Sequence, residues 1–265
     1  MKLLTEILEA VVLASSQIRP DIYLLSLEAP TISRDARPGQ FVHIRCSHTY
    51  DPLLRRPLSI HDIGSKGELV LLFQAKGRGT AWLAGQQAGN RINVLGPVGQ
   101  GFSIVANKKV AIVAGGLGVV PLLFLARKLL ESDNEVNFFL GAQDCDKLLR
   151  LEALRRMEVN LFLATDDGSA GFKGTVTDLW KKHLRPGAFD WAYACGPQAE
   201  MAEFARLAER VALPAEVSLE ERMACGIGLC RGCVTAVCDA SGHKKYENVC
   251  SCGPVFNAAA VCWED

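Results

Sequence analysis

The stretch VAIVAGGLGVVPLLFLA, residues 110–126, carries the strongest fold signal in the chain. It is slightly too short for a membrane span, and its three glycines and Pro121 would interrupt one. A buried strand, a glycine-rich turn and a helix account for it better. The same alternation continues to about Leu213, with EVNFFLGA, NLFLATDD and DWAYACGP as strands and QAEMAEFARLAERV as a helix. Alternating strands and helices predict a doubly wound parallel sheet.

The regions on either side of this segment have different sequence patterns. From Ile7 to about Phe102, short apolar runs such as DIYLLSLEA, GQFVHIRC and GELVLLFQAKG are separated by turn formers, which predicts an antiparallel barrel or sandwich. The last fifty residues are loop-like and rich in cysteine. We therefore expect α/β plus β architecture in three domains: an antiparallel β-barrel at residues 1–102, an α/β domain at 103–215 and a small cysteine-rich domain at 216–265.

The amino-acid composition and its charge balance limit the kinds of molecule that the chain is expected to bind. Lysine and arginine together number 29, as do aspartate and glutamate, so no overall charge attracts nucleic acid or a membrane. Glu6 and Glu9 interrupt the apolar N-terminal segment, which argues against a signal peptide and predicts a cytoplasmic protein. Seven of the ten cysteines lie between Cys225 and Cys262. Because disulfides are rare in the cytoplasm, we expect these cysteines to bind metal and not to form disulfides.

Two turns of the α/β region are candidates for nucleotide binding. Gly115, Gly116 and Gly118 follow a predicted strand and precede a helix, where glycines let the backbone approach a pyrophosphate. Cys195 and Gly196 end another predicted strand, at the sheet edge where ligands bind. The residues alone leave two other interpretations open, namely a glycine turn without a ligand and a cysteine that is only a small buried side chain.

Two motifs of the barrel region offer groups for a phosphate. RRPLSI, residues 55–60, supplies arginines that can bind a phosphate in bidentate fashion. KGRGTAWL, residues 76–83, contains a Gly-Thr turn that opens a helix and can supply backbone and hydroxyl donors. Composition alone would assign Arg55 and Arg56 to the solvated surface. The five histidines, at positions 43, 48, 61, 183 and 243, have no ligand spacing, and ordinary core or surface roles are expected for them.

The segment CGIGLCRGC, residues 225–233, has the C-x4-C-x2-C spacing that, with a distant fourth cysteine, is typical of plant-type [2Fe–2S] proteins. A structural zinc site is the alternative, because Cys230 and Cys233 form a C-x2-C half-site, but zinc does not account for Cys225. Cys238 follows too closely to be the fourth ligand, and Cys262 is expected to be a small buried side chain. Cys250 and Cys252 remain as candidates.

The order of these motifs resembles that of the ferredoxin-reductase family of flavoproteins. The segments CGIGLCRGC, VCSCGPVF and TDDGSAGFKGTVTDL are similar to those of the electron-transfer subunits of class B dihydroorotate dehydrogenases, and the resemblance covers essentially the whole chain. It selects Cys250 as the fourth cluster ligand, because a cysteine stands three residues before G-P-V-F in that family. Leu58 departs from the tyrosine usual in the wider family, so stacking on that face of the flavin is not implied.

The resemblance implies a set of site residues. A [2Fe–2S] cluster would be bound by Cys225, Cys230, Cys233 and Cys250, and NAD by Gly115, Gly116, Gly118 and Gly196, with Cys195 beside the nicotinamide as the catalytic residue. FAD would be bound by the R-P-x-S strand, the following strand and the Gly-Thr turn: Arg56, Pro57, Leu58, Ser59, Leu72, Phe73, Gln74, Gly79 and Thr80.

The resemblance also implies a function. The chain would pass electrons between NAD and an FMN-containing dihydroorotate dehydrogenase subunit, in a heterotetramer that serves pyrimidine biosynthesis. The three domains leave no room for a (β/α)₈ barrel of about 250 residues, so dihydroorotate would be oxidised on the partner. The alternatives are a related subunit of a transhydrogenase, sulfite reductase or hydrogenase, and a zinc-stabilised binding module. Asp144 and Asp146 favour NADH over NADPH, although Lys147 and Arg150 argue against this preference.

Overall fold

The computed structural model describes residues 5–239 and 241–263. The chain forms two compact units. The barrel unit contains the described residues up to Gly101 together with Glu220–Val234 and Asn248–Pro254. The sheet unit contains Phe102–Leu219, Thr235–Glu247 and the described residues from Val255 onward. Within the described residues, no helix is long and apolar enough to cross a membrane.

Six antiparallel strands close the barrel. In chain order they are β1 (Glu6–Arg19), β2 (Ile22–Glu28), β3 (Phe41–Ile44), β4 (Arg56–Ile63), β5 (Leu69–Gln74) and β6 (Arg91–Val98). They follow one another around the barrel in the order β1-β2-β5-β4-β3-β6, and β6 pairs with β1. Two short helices, α1 (Pro30–Asp35) and α2 (Arg78–Ala84), lie between strands. Of the barrel and sandwich that the sequence allowed, the structure therefore has the closed barrel, which leaves none of these strands with a free edge.

The sheet unit has the predicted doubly wound arrangement. Its strands are β7 (Lys109–Gly115), β8 (Glu135–Ala142), β9 (Asn160–Thr165), β10 (Phe172–Lys173), β11 (Trp191–Cys195) and β12 (Ala215–Ser218). Its helices are α3 (Val119–Leu130), α4 (Leu151–Arg155), α5 (Val176–His183) and α6 (Gln198–Arg210). The strands run parallel in the order β10-β9-β8-β7-β11-β12. Trp180 of α5 stacks on Phe204 of α6, with ring centroids 4.7 Å apart, in the core on one face of the sheet.

The strand order reverses its direction at β7. The chain proceeds from β7 outward to β8, β9 and β10, and then returns to place β11 on the opposite side of β7. Such a switch point opens a crevice at the carboxyl ends of the two central strands, where ligands bind in this class of sheet. The glycine-rich turn follows β7 and the C-G-P turn follows β11, so both predicted nucleotide-binding turns lie at the switch point.

The cysteine-rich segment contains three further strands, β13 (Val234–Cys238), β14 (Lys244–Asn248) and β15 (Val255–Asn257). β13 and β14 form a two-stranded sheet, and β15 adds to β12 as an antiparallel edge strand. Parts of this segment belong to each of the two compact units. The three-domain division at residues 102 and 215 stays a prediction.

The expectation that the C-terminal cysteines form no disulfide is wrong for one pair. Cys238 and Cys262 are joined, with Cα atoms 5.9 Å apart, so Cys262 is more than a small buried side chain. The cause is a local antiparallel bridge between Val237 and Val261, reinforced by a 3.0 Å hydrogen bond from the Cys262 N–H to the Ala236 carbonyl. This pairing brings the two cysteines side by side, which the spacing along the sequence does not reveal.

Candidate functional site

The four predicted cluster ligands meet in the barrel unit as two pairs of thiols. The side chains of Cys225 and Cys230 are within hydrogen-bonding reach of each other, and so are those of Cys233 and Cys250. Cys233 and Cys250 are buried, Cys225 is half-buried and Cys230 is exposed. A [2Fe–2S] cluster has two irons, and each iron takes two thiolates. The two pairs therefore match the number and grouping of ligands that such a cluster needs.

Backbone N–H groups point at these sulfurs. The N–H of Gly228 donates to Cys250 Sγ at 3.1 Å, that of Cys230 to Cys225 Sγ at 3.4 Å, and that of Gly232 to Cys230 Sγ at 3.4 Å. Such donors stabilise thiolates and tune the potential of a cluster. Gly226 and Gly228 have φ values of +71° and +85°, so the loop needs glycine at both positions to fold its amides inward.

Cys225 and Cys250, one thiol from each pair, differ in how readily they ionise. Burial opposes ionisation of Cys225, but backbone N–H groups of Ile227 and Cys230 outweigh it and lower the pKa of this thiol to about 6. Burial, with Cys233 beside it, raises the pKa of Cys250 to about 12. A bound metal favours the thiolate form of all four. Of these two thiols, Cys225 is therefore the more readily ionised.

A single-metal site fits this loop less well. Among the described residues, no group of three or more His, Cys, Asp or Glu side chains surrounds one point closely enough to hold a metal ion. A structural zinc site would bring four sulfurs around one such point. The grouping in two pairs fits the two irons of a [2Fe–2S] cluster.

The R-P-x-S strand and the Gly-Thr turn adjoin each other in the barrel unit. A Cβ added to Gly79 would lie 2.9 Å from Nε of Arg56, so the guanidinium covers the turn. Thr80 Oγ1 accepts hydrogen bonds from the N–H groups of Lys76 and Gly77 at 3.0 and 3.1 Å and so fixes the start of α2. An arginine and a helix start therefore face the same space, as binding of a pyrophosphate requires.

The remaining predicted flavin residues divide by burial. Pro57, Leu58 and Ser59 on β4 are half-buried. Leu72 and Phe73 on β5 are only 2% and 3% exposed, and Phe73 stacks on Tyr23 with centroids 5.8 Å apart. Both side chains are thus buried by the protein itself, one on each face of the barrel wall, and their backbone groups remain available to a ligand. Gln74, at the end of β5, is half-buried.

The two predicted nucleotide turns pack directly on each other in the sheet unit. Cys195 pairs with Ala114 in the sheet, and a Cβ on Gly118 would overlap the carbonyl oxygen of Cys195. A Cβ on Gly196 would lie 3.2 Å from the backbone of Gly115. Only glycine allows the backbones to approach this closely. The thiol of Cys195 is buried at the same place, at the start of the C-G-P turn.

Two segments of the chain match protein-family models. Residues 220–262 match the iron–sulfur cluster binding domain of dihydroorotate dehydrogenase B, and residues 112–207 match the oxidoreductase NAD-binding domain. The dihydroorotate dehydrogenase B (NAD(+)), electron transfer subunit, of Desulforamulus reducens is 43% identical over 265 residues, which are 98% of this chain and 100% of the relative. The chain belongs to the family of dihydroorotate dehydrogenase B electron transfer subunits. The relative from Geobacillus kaustophilus is 41% identical and covers 90% of this chain and 92% of its own.

Solved structures agree with the family assignment. A chain from a structure of the NADH-dependent reduced ferredoxin–NADP oxidoreductase, described in connection with flavin-based electron bifurcation, is 32% identical with a TM-score of 0.85. The match covers 96% of this electron transfer subunit and 90% of that chain. The match to phthalate dioxygenase reductase has 18% identity and a TM-score of 0.60 and covers 92% of this chain and 77% of that chain. At this identity it shows the fold alone. The expected ferredoxin-reductase fold is confirmed.

Glu200 of this electron transfer subunit was not identified from the sequence. It lies in the first turn of α6, and a Cβ on Gly115 would overlap its Oε2. Among the described residues this oxygen has no hydrogen-bond partner, and it is buried. Burial, and then the charge of Asp166, raise the pKa of Glu200 above its ordinary value. An acidic residue at a helix start is common, so the sequence contains no signal that would have found it.

His43 is the second residue near the candidate site that the sequence did not indicate. It is fully buried on β3, and a Cβ on Gly226 would overlap its Nδ1. Burial, and then the nearby guanidinium of Arg55, lower the pKa of His43 to about 4, so the ring is neutral near pH 7. No histidine spacing could have indicated this position, because the contact joins residues that are far apart in the chain.

The acidic loop after β8 is partly neutralised. Asp144 accepts a 3.0 Å hydrogen bond from the N–H of Lys147, and the Lys147 ammonium lies 3.1 Å from the same carboxylate. The preference for NADH, which was based on Asp144 and Asp146, therefore stays a prediction.

The loop TDDGS, which follows β9, is a capped turn, in which the Ser169 N–H donates to Asp167 at 2.9 Å.

Proposed function

We propose that this chain passes electrons between NAD(H) and a partner subunit that contains FMN and oxidises dihydroorotate, by way of FAD and a [2Fe–2S] cluster. The route would serve pyrimidine biosynthesis, as the names of the relatives imply. The observation that carries the proposal is the pairing of four cysteines in the same compact unit as the R-P-x-S strand. The proposed cluster ligands and the proposed flavin ligands thus belong to one compact unit.

Each group of residues has a separate task in this proposal. Flavin chemistry divides a two-electron hydride transfer into the single-electron steps that an iron–sulfur cluster can carry. Arg56 and the amides at the start of α2 would hold the FAD pyrophosphate. The glycine turn before α3 would hold the pyrophosphate of NAD, and Cys195 would line the pocket of the nicotinamide ring. We propose NADH as the preferred nucleotide.

The cysteine loop also offers a surface to a partner. Ile227 and Leu229 are 46% and 78% exposed and lie between the ligands Cys225 and Cys230. Apolar side chains exposed beside an electron carrier favour a docking surface, because burying them in a complex also excludes water from the transfer path. This supports a complex with the FMN subunit, which we propose to be a heterotetramer. A cytoplasmic location fits the need for reduced cysteines during cluster insertion.

The test is reconstitution with the purified FMN subunit. Reduction of NAD⁺ by dihydroorotate should require both chains, and Cys230→Ser should abolish it. The same variant should keep NADH-dependent reduction of ferricyanide, which needs only nucleotide and flavin. Turnover of dihydroorotate by this chain alone, or full coupled activity of Cys230→Ser, would refute the proposal.

A second candidate function follows from the 32% identity to the NADH-dependent reduced ferredoxin–NADP oxidoreductase chain. In that case the partner would be a redox subunit other than the FMN subunit, and the same residues would serve it. Co-purification from the native host separates the two, because the FMN subunit is expected in the first case and another redox subunit in the second. The higher identity to the dihydroorotate dehydrogenase B subunits favours the first.

A further inference from the structure

His43 lies between the flavin strand and the cysteine loop of the barrel unit. Its backbone pairs with Pro57 of the R-P-x-S strand. Its side chain is fully buried, and a Cβ on Gly226 would overlap Nδ1 and lie 2.8 Å from Cε1. The imidazole is therefore packed against the residue that follows the first cluster ligand, Cys225.

The ring nitrogens of His43 are buried without a well-formed hydrogen bond. Among the described residues, neither Nδ1 nor Nε2 has a partner of good geometry, and the backbone groups of Cys225 and Arg55, which raise the pKa of the ring, are the polar groups that approach it. The Arg55 guanidinium donates to the carbonyl oxygens of His43 and Asn93 at 3.1 and 3.3 Å, so the backbone of His43 is held firmly. A buried polar atom without a partner is costly, and an apolar side chain would fill this space without that cost. The imidazole therefore indicates a group that is to be bound.

We propose that His43 is a positioning residue for the cluster, and that its ring N–H donates a hydrogen bond into the sulfur shell held by the Cys225 loop. The inference rests on the proposed function and adds a residue to it. An imidazole has at least one N–H donor in either protonation state. Such a donor stabilises the more negative, reduced form of a cluster and so raises its reduction potential. Because β3 pairs with the R-P-x-S strand, the donor is fixed relative to the flavin-binding residues.

The test uses the full chain with its cofactors bound. His43→Leu removes both nitrogens at similar volume and should shift the midpoint potential of the cluster to a more negative value, with iron and flavin content unchanged. His43→Asn and His43→Gln place an amide near Nδ1 and Nε2 respectively, and one of them should restore the potential. An unchanged potential in a His43→Leu protein with full iron content would overturn the proposal. So would a shift that neither amide restores, because the effect would then be one of packing.

A second measurement covers the case in which His43→Leu does not fold. Pulsed paramagnetic resonance of the reduced wild-type chain, labelled with ¹⁵N only in histidine, should show a nitrogen coupled to the cluster. Absence of this coupling would contradict the donor. His61→Leu is the matched control, since His61 is equally buried on β4, and it should leave potential and coupling unchanged. A wild-type chain that assembles no cluster would contradict the proposed function. A cluster that forms without coupling to a histidine nitrogen would contradict only the role of His43.

Discussion

Cys250 and Cys252 differ in environment although only Ser251 separates them. Cys250 is fully buried and accepts the Gly228 N–H, whereas Cys252 is exposed. We expect Cys250→Ser to lose or distort the cluster, because one thiolate pair would lack a member. Cys252→Ser should leave the iron content and the paramagnetic resonance spectrum unchanged. The reverse pattern in these two variants would move the fourth ligand to Cys252.

Arg56 is expected to retain FAD through a charge-assisted hydrogen bond to the pyrophosphate. Such a bond is typically worth about 1.5–3 kcal/mol, so Arg56→Ala should weaken flavin binding by about tenfold or more. Flavin content after gel filtration and a dissociation constant from fluorescence titration measure this. Arg34→Ala, which removes an exposed arginine on α1, is the control. Unchanged flavin affinity of Arg56→Ala would show that Arg56 does not bind the pyrophosphate.

Glu200 should make stability depend on pH. Its pKa is raised on folding, so the carboxyl costs nothing below its ordinary value of 4.5 and destabilises the fold as pH rises through the raised pKa. Glu200→Gln should therefore unfold at a higher temperature than the parent near neutral pH, and the difference should vanish toward acid. Thermal unfolding between about pH 4 and pH 8 measures it. Glu209→Gln, an exposed position on the same helix, should show no such trend.

Residues with local spacing rules could be predicted from the sequence, and residues defined by distant contacts could not. The glycines of the β7 turn and the cysteines of the loop are recognisable because their chemistry requires fixed intervals along the chain. Glu200 and His43 face glycines that are more than eighty residues away in sequence. Their roles depend on which elements the fold brings together.

At the scale of elements, the disulfide between Cys238 and Cys262 should stabilise the folded cysteine-rich segment. It joins the end of β13 to Cys262 across a sequence separation of 24 residues. Closing a loop of that length stabilises the folded chain by about 3 kcal/mol in the chain-entropy model. The double variant Cys238→Ser, Cys262→Ser should lower the free energy of unfolding by about this amount under oxidising conditions. With a reductant present the variant and the parent should be alike, and a difference that persists would indicate a packing effect.

The strength of a periodic pattern decided which elements could be predicted. The βα units of the sheet follow from long apolar strands and amphipathic helices. β14 and β15 were not predicted, because the segment KKYEN is exposed and polar and the segment VFN is very short. β15 exists because β12 offers it an edge, through the pairs Glu216–Asn257, Val217–Phe256 and Ser218–Val255.

At the scale of the whole molecule, neither compact unit is one continuous stretch of chain. A chain truncated after Leu219 would lose the cysteine loop from the barrel unit and β15 from the sheet unit. We expect it to self-associate, because β12 would present an unpaired edge. Size-exclusion chromatography measures this, and Cys230→Ser is the control because it disturbs the cluster but keeps β15. A monomeric truncated chain would contradict the role assigned to β15.

The pairing of β12 with β15 also sets an order of events during synthesis on the ribosome. β1 to β6 are consecutive in sequence, so the barrel can close while the rest of the chain is still being made. β12 gains its antiparallel partner only when β15, which follows Cys250 in the sequence, has left the ribosome. By then all four proposed cluster thiols have also left it. A nascent chain would thus carry a bare sheet edge until the segment that completes the ligand set has emerged. Completion of the ligand set and completion of the sheet therefore await the same stretch of chain, residues 250–257.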